Sequence, residues 1–287
     1  MSNRSSSQQQ LSSETEMPIT IAMSSELLKQ QMRPGPAYFF VKALNTVNAK
    51  IKQDYPESKE LFKVILINGK SSHELIEEFS DLTIDFLESG EDLIAKLKEH
   101  KTHLYLSAEP GFKIQEAVNE GIAAAIIFPQ EIQEVTELEK CELRIVFDGD
   151  AVLFSDDSER VNKTGLSNFL KYEKENVDNP MTEGPFKGFL KSLTNMQRKL
   201  VVKGESIICT YLVTSRNAGY AGYRALNTLK TWGLEIDQAY FLKGSPKGPF
   251  LKMIRPHIFF DDQKKHVEDA MKEGILACYV PYCKENP

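Results

Sequence analysis

The sequence predicts an α/β protein built on parallel sheet, in two successive copies of one unit. Three observations carry this. Short runs such as 64–67, 211–213 and 258–260 are continuously apolar rather than alternating, as in strands buried on both faces. They alternate with helical stretches, which implies parallel strands joined by right-handed crossovers. Four sequence blocks recur in the same order in both halves.

In chain order, "TIAMSSELL" (20–28) aligns with "RIVFDGDAV" (144–152), and "PGPAYFFVKALNTVN" (34–48) with "EGPFKGFLKSLTNMQ" (183–197). "LFKVILINGKSS" (61–72) aligns with "IICTYLVTSRNA" (207–218), and "THLYLSAEPGFKIQEAVNEGIAAAIIFP" (102–129) with "PHIFFDDQKKHVEDAMKEGILACYVP" (256–281). Each copy reads as a β-rich run, a helix opening near a Gly-Pro turn, a second β-rich run, an amphipathic helix, a third apolar run, a helix and a fourth apolar run. The helix expected at 264–272 spaces Val267, Ala270 and Met271 as the stripe of a helix lying on a sheet. The expected organisation is a disordered tail at 1–16, one copy at 17–142 and a second at 143–287. The interval near 155–205 is long enough for a small helical cap.

Composition narrows the function. The 287 residues are 41% hydrophobic and 26% charged, the mixture of a soluble globular protein. A formal charge of -6 argues against nucleic acid as partner, while a small phosphate ester needs only a few local cations. With no run of 18 apolar residues and no apolar leader, a membrane is not expected and a cytoplasmic location is. Cys141, Cys209, Cys278 and Cys283 lack paired CxxC spacing and read as reduced thiols.

The chemistry concentrates in "FDGDAVLF" (147–154), where two carboxylates interrupt an apolar run at a strand end. Ligands of open parallel sheets bind beyond the carboxyl ends of the strands. In the second copy those ends carry Asp148 and Asp150, then Thr214 and Ser215, then Asp261 and Asp262, with Lys243 and Lys247 in between. The aligned positions of the first copy hold Ser24 and Glu26, Asn68, and Ser107 and Ala108. The fold pattern persists there without the carboxylates, so the function belongs to the second copy. Converging carboxylates with no His or Cys ligand favour Mg²⁺, which binds oxygen ligands together with substrate phosphate. An Asp oxygen in line with phosphorus, a neutralising Lys, a Thr hydroxyl and a second Asp as acid/base make a phosphoryl-transfer set.

"FDGDAVLF", "YLVTSR", "GSPKGP" and "IFFDDQ", in that order, resemble the four motifs of the haloacid dehalogenase-like phosphohydrolases. The longer blocks "FDGDAVLFSDDSERV", "TEGPFKGFLKSL", "LNTLKTWGLEIDQAYFLKGSPKGPFL" and "RPHIFFDDQ" resemble the AMP-preferring cytosolic 5′-nucleotidase type I family, with likeness extending over nearly the whole chain after residue 17. The resemblance implies a Rossmann-like, haloacid dehalogenase-like fold and hydrolysis of nucleoside 5′-monophosphates. It implies Asp148 as nucleophile, Asp150 as general acid/base, Thr214 as phosphate-binding hydroxyl with Ser215 and Arg216 beside it, and Lys247, preferred over Lys243, as the neutralising lysine. Mg²⁺ would be held by Asp148, Asp261 supported by Asp262, and the backbone carbonyl of Asp150. A nucleoside diphosphate activator and a homo-oligomer are also implied.

Other readings are weighed beside these. A haloacid dehalogenase-like phosphatase acting on a different small ester keeps the same residues. A phospho-receiver would place its acidic pair first and its Lys last, against the order found. Asp156, Asp157 and Glu159 read as an exposed helix start, His257 with its counterpart His103 as structural, and Trp232 as helix-end packing. Arg216 fits a salt bridge or a substrate contact equally. Phe169, Tyr172, Phe186 and Phe189 are available for packing or stacking.

Overall fold

Strands without apolar/polar alternation need cover on both faces, and the chain supplies it by alternating them with helices. The computed structural model describes residues 17–30, 33–68, 77–88, 90, 92–134, 141–200 and 207–282. The tail expected at 1–16 and Cys283 lie outside them. The first half runs β1 (Ile19–Ser24), a small hairpin of β2 (Lys29–Gln30) and β3 (Arg33–Pro34), α1 (Tyr38–Asp54), β4 (Phe62–Ile67), β5 (Thr83–Leu87), α2 (Leu93–Glu99), β6 (Thr102–Ser107), α3 (Phe112–Asn119) and β7 (Ala123–Ile126). The second half begins with β8 (Leu143–Phe147), α4 (Asp157–Asn162), α5 (Leu166–Glu175), α6 (Lys187–Lys199) and β9 (Ile208–Thr214). It continues with α7 (Tyr220–Thr231), β10 (Gln238–Phe241), α8 (Gly248–Ile254), β11 (Ile258–Asp261), α9 (Lys264–Lys272) and β12 (Ala277–Tyr279).

Apart from the β2–β3 hairpin, one mostly parallel sheet gathers these strands in the order β10-β9-β8-β11-β12-β7-β6-β1-β4-β5. Within each half the pairing is parallel and the order is the same: the first strand lies between the second and the fourth, with the third and fifth outside. The halves meet where β12 pairs antiparallel with β7 at Tyr279 and Ile126. Strands of the two halves therefore point opposite ways, and their carboxyl ends open on opposite sides of the sheet along the strand direction.

Period-2 alternation assigns neighbouring strand residues to different faces. On β8, Ile145 and Phe147 join a cluster that holds α1 and α6 residues from both halves, whereas Val146 joins a smaller one with Leu251, Ile254, Val267 and Ala270 of α8 and α9. A third cluster covers the same face of the first half with Leu93, Leu97 and Ile114. Phe147, Phe186, Phe189 and Phe260 are fully buried with ring centroids 4.6–6.4 Å apart. Burying each contributes about 1.5–3 kcal/mol, which anchors the strand end that carries the carboxylates.

Two local devices recur in both halves. His103 Nδ1 accepts the Thr20 amide at 3.1 Å and His257 Nδ1 accepts the Arg144 amide at 3.0 Å, each at the entrance of the half's first strand. The Gly-Pro turns behave alike as well. Gly35 donates to Leu28 O at 2.8 Å and Gly184 donates to Leu153 O at 3.0 Å. A Cβ at Gly35 would strike the carbonyl oxygens of Glu26 and Leu27, and one at Gly184 those of Val152 and Phe154.

Within the stretch expected to hold a cap, an excursion beyond the end of β8 opens at Phe154 and closes at Glu183, the two bridged antiparallel outside the sheet. Ser155 donates to Thr182 O at 2.9 Å and closes the neck. The excursion contains α4 and α5, while α6 packs Phe189, Leu190 and Leu193 into the core, so it is shorter than 155–205. The thiol expectation needs correction: the parallel pairing of β8 and β9 brings Cys141 beside Cys209, and the two are joined as a disulfide. Cys278 is buried and free. Among the described residues no helix is long and apolar enough to cross a membrane.

The histidine contact generates a stability prediction. Burial, reinforced by Arg144, lowers the His257 pKa from 6.5 to about 3. The unfolded chain therefore takes up a proton that the folded one refuses, and stability is lost as pH falls from 6.5 towards 3. His257→Ala, which orphans the Arg144 amide, should cost about 1–3 kcal/mol near pH 7.5 by urea unfolding. His257→Asn, which keeps an acceptor, should cost less, and both should flatten the acid loss.

Candidate active site

In a parallel sheet a crevice opens at the carboxyl end of the strand whose neighbours continue to opposite sides. β8 is that strand in the second half, flanked by β9 and β11. Asp148 follows it directly, and its amide donates to Phe260 O of β11 at 2.9 Å. Thr214 closes β9 and Asp261 closes β11. Lys247 caps the start of α8 and is 3% exposed, whereas Lys243 is exposed. The fold thus separates the two lysines that sequence left in competition.

After Asp148 the chain makes one wide turn over Gly149–Leu153, closed by Phe154 N–H donating to Gly149 O at 2.9 Å. Ala151 takes a left-handed φ of 59° within it. A Cβ at Gly149 would lie 3.2 Å from Thr214 Oγ1 and 3.5 Å from the Phe154 ring, so glycine lets the turn sit against the Thr214 hydroxyl. The Arg216 amide donates to Thr214 Oγ1 at 3.3 Å.

The charges meet in the middle. Lys247 Nζ lies 2.6 Å from Asp261 Oδ2, which it hydrogen-bonds, and 2.8 Å from Asp148 Oδ1. Lys247 is thus paired with both carboxylates at once, and all three groups are buried. Asp261 Oδ1 accepts the Gln263 amide at 2.8 Å and faces His266 Nδ1 at 3.3 Å. Burial pushes the Asp148 carboxyl up to about 6, Lys247 offsetting part of the effect. For Asp261 burial is outweighed by Lys247 and His266, and its pKa falls. Burial likewise would lower the Lys247 pKa, but Asp148 and Asp261 raise it. Asp262 is pushed to about 9, first by burial and then by Asp148, Asp261 and Glu159.

Asp148, Asp261 and Asp262 each offer a carboxylate oxygen, all within 4.8 Å of one another, the one such cluster among the described residues. Buried Asp262 Oδ1 has no hydrogen-bond partner there, and Asp148 Oδ1 has only the Lys247 ammonium beside it. Three carboxylate oxygens this close together, one of them buried without a hydrogen-bond partner, fit a hard divalent cation such as Mg²⁺.

Asp150 goes elsewhere. Arg216 grips both its oxygens, Nε to Oδ2 at 2.9 Å and Nη2 to Oδ1 at 2.7 Å. Arg216 Nη1 reaches Glu173 Oε2 of α5 at 2.8 Å and Ala221 O at 3.2 Å, so its guanidinium is engaged by the protein. Burial would lower its pKa, yet Asp150 and Glu173 raise it. Ser215 is exposed. The acidic run after the motif does start a helix, but not an exposed one. Asp156 is buried, Arg160 pairs with Asp156 and Asp157, and Glu159 faces Asp262. Phe169 and Tyr172 lie over Arg216 and Arg224, while Phe186 and Phe189 belong to the core. Trp232 packs on Phe154 with Lys187 over its ring.

Sequence reasoning did not find Glu173, Arg224 or His266, and it took Glu159 only as part of an exposed helix start. The available signal was an acidic residue on the apolar-facing side of α5: Glu173 shares a helical face with Phe169, four residues earlier.

The family model described as 5′-nucleotidase matches residues 7–287. Cytosolic 5′-nucleotidase 1B from Homo sapiens is 44% identical over 261 residues, covering 86% of this chain and 42% of that protein. The chain thus spans about two fifths of the length of that relative. No solved structure matches it.

Removing the central cation should expose the electrostatic role of Lys247. Lys247→Met leaves Asp148 and Asp261 facing each other and should cost about 3–5 kcal/mol at pH 8 by urea unfolding, as when a buried pair loses one partner. The loss should shrink at pH 5, where Asp148 can take a proton. Lys243→Ala should stay within about 0.5 kcal/mol of wild type.

Proposed function

Because the chain belongs to the 5′-nucleotidase family, we propose that its second half is a phosphomonoesterase that hydrolyses nucleoside 5′-monophosphates to nucleoside and inorganic phosphate. The observation that carries this reading is the meeting of Asp148, Lys247, Asp261 and Asp262 beside Thr214 at the end of β8. The two halves are read as copies of one haloacid dehalogenase-like unit, at 17–142 and 143–287. Their common strand order, paired histidines and Gly-Pro turns support this. The first copy is proposed to be non-catalytic, since Ser24, Asn68 and Ser107 stand at its strand ends.

In the proposed reaction an Asp148 oxygen attacks phosphorus and the bond to the 5′ oxygen breaks, leaving an aspartyl-phosphate. Asp150 gives its proton to the departing oxygen. It then takes one from the water that attacks the phosphoenzyme, and Asp148 is regenerated. Lys247 neutralises charge on the phosphoryl oxygens, and the Thr214 hydroxyl donates to one of them. Arg216 holds Asp150 through one lone pair on each oxygen, which leaves a second lone pair on each for a proton. Mg²⁺ would be held by Asp148, Asp261 and Asp262 with the Asp150 carbonyl, and when bound it neutralises phosphoryl charge. AMP is the proposed preferred substrate.

Phosphate release from a panel of nucleoside 5′- and 3′-phosphates and sugar phosphates, with Mg²⁺ or a chelator, tests the reading. The expected outcome is preference for 5′-nucleotides and activity that disappears with the metal, while turnover of a sugar phosphate alone would refute it. In rapid-quench experiments Asp148→Asn should trap no hydroxylamine-labile phosphate and lose about 10⁴-fold or more in kcat. Asp150→Asn should bind substrate and lose about 10²- to 10⁴-fold. Ser24→Ala and Ser107→Ala should leave turnover unchanged.

A further inference from the structure

Glu173 is 0% exposed although its chain neighbours Tyr172 and Lys174 are not buried. A carboxylate without water must be paired, and Glu173 is paired three times. Oε1 accepts Ser158 Oγ at 2.7 Å and Arg224 Nη1 at 3.2 Å, and Oε2 accepts Arg216 Nη1 at 2.8 Å. Arg216 in turn makes the two-pronged contact with Asp150 at 2.7 and 2.9 Å. Arg224 is anchored at its other side by Asn179 O at 2.9 Å, and the rings of Phe169 and Tyr172 cover the two guanidinium groups. One helix outside the sheet thus contributes the carboxylate and the Phe169 ring that hold the Arg216 guanidinium on Asp150, and the Tyr172 ring that covers its neighbour Arg224. Buried ion networks are commonly replaceable by apolar packing without loss of stability. This one lies one side chain away from the proposed acid.

We propose that Glu173 is a positioning residue for the reaction: it orients Arg216, Arg216 fixes the Asp150 carboxylate, and the acid is in place only while α5 is seated. The proposal rests on the reading of Asp150 as general acid. Its consequence is selective. Losing Glu173 weakens the step that needs a positioned proton and spares a step that does not.

The test compares single-turnover release of nucleoside from adenosine 5′-monophosphate with release from its analogue carrying sulfur at the bridging 5′ position, which departs as a thiolate without a proton. Glu173→Gln keeps shape and removes the charge. It should slow release from the oxygen ester by about 10- to 100-fold, release from the thio ester by no more than about threefold, and leave substrate affinity within about threefold. Glu173→Asp keeps the charge with a shorter reach. It should show the same split at smaller size, and it decides the matter if Glu173→Gln does not fold. Asp150→Asn is run alongside. If it slows both substrates alike, the reading of Asp150 as acid falls and the proposal falls with it. If Asp150→Asn splits them while the Glu173 variant slows both alike, or neither, the role of Glu173 alone is overturned.

Discussion

A buried ammonium between two buried carboxylates is the interaction on which this half of the molecule depends. Lys247, Asp148 and Asp261 come from a helix start and two neighbouring strand ends, and all are withdrawn from water. Charges in such a place are tolerated only when geometry supplies what solvent no longer can. The supply here is structural: the packed Phe147 and Phe260 rings fix the two strand ends, and the start of α8 fixes the lysine. The group keeps an excess of acid even so, and burial together with that excess pushes the Asp262 carboxyl up to about 9. A site that is short of positive charge when empty is suited to receive a cation, and it offers Lys247 to an incoming anion.

A second charged group sits beside the first and is nearly balanced, with Asp150 and Glu173 against Arg216 and Arg224. The two groups divide the opening motif. Asp148 faces Lys247, and Asp150, two residues later, faces Arg216. The wide turn at Gly149–Leu153 makes the division possible, because a strand continuing straight would have placed both side chains on the same face of the sheet. Left-handed Ala151 is the local strain associated with that separation.

Much of this was legible in the sequence, for identifiable reasons. Asp148, Thr214 and Asp261 each end a run of apolar residues, so their place at a crevice follows from the strand pattern. The repeat exposed which half lacks the carboxylates. The block "GSPKGP" favoured Lys247 over Lys243, and the start of α8 adds that Lys247 is buried while Lys243 is exposed. Glu173 was hidden in "KYEKEN", where charge reads as a solvated face, and its burial depends on two arginines more than 40 residues away. The Cys141–Cys209 pair was equally hidden, because only the register of β8 on β9 brings residues 68 apart in sequence together. Nor does any local pattern mark the antiparallel contact of Tyr279 with Ile126, which is a single pair of residues between two outermost strands.

That contact has a bearing on solubility. Two separate five-stranded sheets would present four unpaired edges, each a template for association with other chains. Joining β7 to β12 leaves the combined sheet with two, β5 and β10. At one of them Asp85 of β5 is paired with Lys63 of β4, which keeps charge along that border. The half whose described residues hold no carboxylate cluster thus shields the flank of the half that has one.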